Sequence, residues 1–125
     1  MEINHLTEQT IGAAIEVHKR LGPGLLESAY EECLCTELDF SKLAFERQKP
    51  LPVIYRNIHL DCGYRIDVIV EKILILELKA IDALLPIHHA QILTYLKLGN
   101  WKIGLLINFN VPVLRHGIKR VVLGL

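Results

Sequence analysis

The stretch Tyr64-Arg65-Ile66-Asp67-Val68-Ile69-Val70-Glu71-Lys72-Ile73-Leu74-Ile75-Leu76-Glu77-Leu78-Lys79-Ala80 decides how this chain is read. Two runs rich in Val and Ile flank a charged dipeptide, which predicts adjacent antiparallel strands over 58–70 and 73–80. Strands of this kind bury apolar side chains, so Asp67, Glu77 and Lys79 are the informative exceptions. Glu77 and Lys79 lie two residues apart and share one face. Whether Asp67 joins them depends on register, because a slip of one residue inverts the whole set. A two-residue Glu71-Lys72 turn pairs Val70 with Ile73 and sets Asp67 against Leu76. A three-residue loop, Glu71 to Ile73, pairs Val70 with Leu74 and sets Asp67 against Glu77. In that second register the two carboxylates stand about 5 Å apart at Cβ and need a cation or a proton between them. The site would then be a hard divalent cation, Mg²⁺ or Mn²⁺, held by Asp67 and Glu77 with the backbone carbonyl of Leu78 as a further oxygen. Lys79 would face the attacking water or a phosphate. In the first register the same residues are solvated strand ends or a structural Glu77–Lys79 pair.

Working outward, Pro86 opens a helix over 87–98 that stops at Gly99-Asn100, and strands follow over 102–109 and 118–123. Upstream, a strand over 44–55 carries Pro50 and Pro52, which place it at a sheet edge or a bulge. Before it come two amphipathic helices, 7–20 with Thr7 as N-cap and 23–40 opening on Pro23, separated by Gly22-Pro23-Gly24. The expected fold is α/β: a mixed central sheet, built from a three-stranded antiparallel meander plus two further strands and flanked by helices, in one domain over 1–125.

With 125 residues, 51% hydrophobic and 22% charged, the chain is one core's worth of sequence and too apolar for disorder. Fourteen Lys and Arg balance fourteen Asp and Glu, so no global basic field drives nucleic-acid or membrane binding. The mean hydropathy of +0.31 is high for so small a domain and points to a homo-oligomer, for instance a homodimer. No run approaches the roughly 20 apolar residues of a membrane span, and Met-Glu-Ile-Asn-His lacks a secretory pattern, so the expected compartment is the cytoplasm. Cys33, Cys35 and Cys62 read as reduced, packed thiols.

An Asp followed ten residues later by Glu-Leu-Lys, on neighbouring strands between helices, resembles the PD-(D/E)xK nuclease superfamily, with Ile66 where the name has Pro. Gln91 and Tyr95, an i, i+4 pair on the following helix, look like the QxxxY motif of RecB-like exonucleases. Gly24-Leu25-Leu26-Glu27-Ser28-Ala29-Tyr30 resembles the defining motif of the GxxExxY protein family, assigned to the same superfamily. The resemblance implies a restriction-endonuclease-like core and a metal-dependent nuclease acting on nucleic acid, DNA above all. It assigns Glu27 to the metal site beside Asp67, Glu77 and Leu78, and Gln91 to the support of metal or water. It turns Tyr95 towards the substrate; Tyr30, one turn after Glu27, is either core or a substrate contact, His88, three residues before Gln91 on the same helical side, is either a surface or cap residue or a phosphate contact, and Arg65 is a candidate substrate contact. The alternative is a nuclease fold whose cleavage is dormant and which serves as a nucleic-acid or protein interaction module.

Overall fold

The computed structural model describes residues 2–124. Helix α1 (Ile3–Leu21) starts four residues before the expected Thr7 cap, because the Glu2 carboxylate accepts from the amides of Asn4 and His5, both at 2.9 Å. Thr7 is instead buried inside the helix, its hydroxyl returned to the Ile3 carbonyl at 2.9 Å. Helix α2 (Glu27–Phe40) starts later than Pro23. The intervening turn is shaped by Tyr30, whose hydroxyl donates to the Gly22 carbonyl at 2.5 Å and accepts from the Leu25 amide at 3.2 Å.

The expected strand over 44–55 is two strands. β1 (Phe45–Pro50) belongs to the main sheet; the chain leaves it at Pro52 and forms a separate hairpin of β2 (Val53–Tyr55) and β3 (Ile58–Leu60). Arg56 and Asn57, both at positive φ, turn that hairpin in the sense the strand twist demands. The strand expected over 58–70 is likewise interrupted, by Asp61-Cys62-Gly63-Tyr64, where the Asp61 carboxylate accepts from the Gly63 amide. β4 (Arg65–Val70) and β5 (Leu74–Lys79) follow, then α3 (Pro86–Gly99), β6 (Ile103–Asn108), a short 3-10 turn over Leu114–Gly117, and β7 (Ile118–Val122).

The main sheet runs β1-β4-β5-β6-β7, antiparallel except for the parallel β5–β6 pair that α3 connects. β4 and β5 adopt the second register, with Val70 opposite Leu74 and Val68 opposite Leu76. Leu74, Leu76 and Leu78 pack with Leu34, Leu38 and Phe109 beneath α1 and α2, whereas Ile75 packs with Ile92, Leu96 and Leu106 beneath α3. The period-two alternation of β5 therefore divides one strand between two cores and sends Glu77 and Lys79 to the α3 side. Gly104 lets α3 approach β6: a Cβ there would meet Ile75 Cγ1 at 2.8 Å and Ile92 Cδ1 at 2.9 Å. Gly104→Ala is expected to destabilise by about 1–3 kcal/mol through overpacking, read as a lower denaturant midpoint at unchanged slope.

Two further points bear on the site. Asn108, 1% exposed, accepts from the amides of Ile81 and Asn110 and donates to the Ile81 carbonyl, so it pins the end of β5 to the end of β6 as a turn clamp. Of the cysteines, all free, Cys35 is buried and Cys33 half-buried, but Cys62 is exposed in the 61–64 turn and is not packed. No helix among the described residues is long and apolar enough to cross a membrane.

Candidate active site

β4 and β5 remain paired only as far as Val68 and Leu76. Beyond that point the strands part, and each backbone amide finds the other strand's carboxylate: the Leu78 N–H donates to Asp67 Oδ2 at 2.8 Å, and the Asp67 N–H to Glu77 Oε1 at 3.5 Å. Two side chains thus stand in for a missing ladder rung, which explains why the charged residues sit where the sheet opens. The geometry brings Asp67 and Glu77 together.

The electrostatics follow from burial. Glu77 is 5% exposed, and its carboxyl is pushed up to about 8, first by desolvation and then by the Asp67 charge. Asp67 is also raised, chiefly by desolvation, against the pull of its Leu78 hydrogen bond. Glu27, the first residue of α2, is raised by desolvation and by Asp67. Lys79 lies two residues beyond Glu77 on the same strand face and lowers all three carboxyls. The charge of the acidic cluster is therefore only partly compensated by the protein itself. Oxygen donors with this deficit suit a hard divalent cation. Among the described residues, however, no three His, Cys, Asp or Glu side chains already close round one ion. Asp67 and Glu77 form the nucleus of the site, and Glu27, exposed, sits at its rim.

Three residues at this cleft carried no signal that singled them out in the sequence. Glu31, one helical turn after Glu27, is buried and clamped by Arg47, whose Nε and Nη2 donate to Glu31 Oε2 at 3.1 and 2.8 Å. Gln48 donates to Glu31 Oε1 at 2.7 Å and to Asp67 Oδ1 at 3.5 Å. It does so from a left-handed backbone, φ +50°, and it is the β1 residue that the β1–β4 pairing skips. The i, i+4 spacing of Glu27 and Glu31 was the available clue to Glu31; Gln48 and Arg47, in a polar edge strand, offered none.

On α3, Gln91 Nε2 donates to the Tyr95 hydroxyl at 3.0 Å, so the pair acts as one unit, and Tyr95 feels the charges of Glu77 and Asp67. A family model for the PD-(D/E)XK nuclease superfamily matches residues 4–121. The chain belongs to that superfamily. PD-(D/E)XK proteins are nucleases that generally use divalent metal ions, in agreement with the carboxylate nucleus at Asp67 and Glu77. Comparisons with curated proteins and with solved structures give no match.

Within the PD-(D/E)XK frame, three of the residues singled out in the sequence make structural hydrogen bonds. Tyr30 is 0% exposed and stacks on Phe109, ring centroids 4.5 Å apart and planes 7° from parallel. With its hydroxyl committed to Gly22 and Leu25, it cannot face a substrate; it fixes the turn that delivers Glu27. Tyr30→Phe deletes two part-buried hydrogen bonds, each worth about 0.5–1.5 kcal/mol, and is expected to lower the stability accordingly in chemical denaturation. His88 accepts from the Leu85 amide through Nδ1 at 2.9 Å and thereby caps α3, which leaves only Nε2 to face outwards. Leu78 holds Asp67 in place through its amide. Arg65 is exposed at the start of β4, two residues before Asp67.

Proposed function

We propose that this chain is a metal-dependent nuclease of the GxxExxY family, hydrolysing phosphodiester bonds of nucleic acid and most readily of DNA. The observation that carries the reading is the reciprocal clasp of Asp67 and Glu77 across the parting of β4 and β5, a half-buried and a buried carboxyl raised together beside Lys79. Asp67, Glu77 and, at the rim, Glu27 would hold Mg²⁺ or Mn²⁺. When bound, the ion would lower the pKa of water and neutralise charge gathering on the phosphate.

The chain's own residues account for the rest. Lys79, its stem fixed by a buried strand, presents a cation to the scissile phosphate and orients the water for attack in line with the leaving oxygen. Gln91 holds the Tyr95 hydroxyl towards the cleft. Arg65 and the outward nitrogen of His88 contact phosphate on the substrate strand. The balanced charge of the chain favours grip by a dimer over tight binding by one copy. Incubation with labelled DNA in Mg²⁺ or Mn²⁺ tests the activity. Wild type is expected to cleave, chelator to stop it, and Asp67→Ala to lose it while keeping its fold; an Asp67→Ala chain that cleaves at the wild-type rate would sink the assignment.

A further inference from the structure

A pocket of about 440 Å³ is lined in part by Tyr95, which feels the charges of Glu77 and Asp67. Val53 of the β2–β3 hairpin and Leu98 of α3 give it apolar walls, Tyr64 and Tyr95 an aromatic corner, and Gln91 and Thr94 a polar edge. The two rings stand 6.0 Å apart, tilted by 60°, so neither covers the other's face, and Tyr64 is 44% exposed. None of the residues that line the pocket is Asp, Glu, Lys or Arg. Its one imidazole, His88, offers a phosphate a single outward nitrogen and no fixed countercharge, whereas a flat heteroaromatic ring with polar edges finds stacking surface and hydrogen-bonding groups together. Of the pocket residues, Tyr95 also feels the charges of Glu77 and Asp67, so a ligand held here lies beside the carboxylate cluster.

We infer that this pocket receives an unpaired nucleobase next to the scissile phosphate, so that the substrate is a single strand or a strand with an extruded base. The inference rests on the nuclease reading and deepens it. A base held within a duplex keeps its faces stacked on its neighbours and cannot present them to Tyr64. The hairpin, a two-stranded element with Ile54, Tyr55 and Ile58 exposed, forms the outer lip over which such a strand would pass.

The test is binding, measured by fluorescence anisotropy in magnesium buffer with Glu77→Gln protein, so that cleavage does not intervene. The probes are a short oligothymidylate and a backbone of the same length without bases. The oligothymidylate is expected to bind roughly tenfold more tightly. Adding Tyr64→Ala should collapse that preference, adding Tyr64→Phe should retain it, and free thymidine monophosphate should compete far more weakly than the strand. Equal affinity for the two probes, a preference that survives Tyr64→Ala, or displacement by the mononucleotide as effective as by the strand would each overturn the inference. Cleavage of duplex DNA by the unsubstituted chain, followed in parallel, separates the two claims. If cleavage occurs with no base preference, only the pocket assignment falls; if neither cleavage nor binding occurs, both fall.

Discussion

Mn²⁺ or Mg²⁺ is expected to raise the melting temperature of the unsubstituted protein and to leave that of Glu77→Ala unchanged. Binding to the native state alone stabilises it by RT ln(1 + [L]/Kd), about 2.7 kcal/mol at a hundredfold excess over Kd, which for a domain of this size is on the order of 10 °C. The effect carries a pH signature with a fixed sign. Between the unfolded carboxyl value of 4.5 and the folded value of about 8, native Glu77 keeps a proton that the unfolded chain has released. The native state then binds more protons than the unfolded state, so without metal the stability contributed at Glu77 is fully present below about pH 4.5 and is lost as pH rises towards 8. Each pH unit in that window costs up to about 1.4 kcal/mol. Asp67 and Glu27, both raised as well, add in the same direction. Metal reverses the trend, because the ion replaces the proton and its affinity grows as Glu77 ionises. Melting curves from pH 5 to 8, with chelator and with Mn²⁺, should therefore diverge as pH rises, and Glu77→Gln should flatten the chelator curve. A chelator curve that climbs from pH 5 to 8 would contradict the burial of Glu77 in its neutral form.

Lys79→Ala is expected to lose roughly 10²–10³-fold in cleavage rate, the scale of removing one preorganised charge from a transition state. Its fold and metal affinity should survive. Lys79 is only half-buried, and among the described residues it makes no ion pair within 4.0 Å, so truncation leaves no buried charge behind. Loss of Lys79 also removes the cation that lowers Asp67, Glu77 and Glu27, so their carboxyls should rise further and the metal-free pH dependence steepen. Lys79→Arg keeps the charge but not the compact ammonium, and should recover part of the rate. Single-turnover cleavage at saturating metal, measured beside a metal titration, separates the roles. A Lys79→Ala chain with the wild-type single-turnover rate would remove Lys79 from the chemistry.

Much of this site could be read from residues 64–80. The alternation of β5 distributes its even and odd positions to two cores, and that division put Glu77 and Lys79 on one face. Register was the open question, and the loop at Glu71 and Lys72 settles it: both residues take positive φ, and the Ile73 amide closes the turn on Val70, so Ile73 drops out of the ladder. Sequence pattern alone could not supply that, because two-residue and three-residue connections suit the same residues. The strand limits around 51–64 were misread for a different reason. Val53, Ile54, Tyr55 and Ile58 carry strong strand propensity, which is satisfied in a separate hairpin and not by extending β1 and β4. Tyr30 illustrates the remaining difficulty. Its motif position left core and substrate contact equally open, and only its hydrogen bonds to Gly22 and Leu25 reveal that it serves the backbone ahead of Glu27. Gln48 was illegible because its importance lies in a left-handed φ and a long-range partner, neither of which a polar edge-strand residue announces.

The most direct measurement is anomalous diffraction from crystals of the protein grown with Mn²⁺. The account predicts a manganese peak bounded by the carboxylates of Asp67 and Glu77, with Lys79 alongside, and no such peak in Glu77→Ala. An empty gap between Asp67 and Glu77 at saturating Mn²⁺ would contradict it.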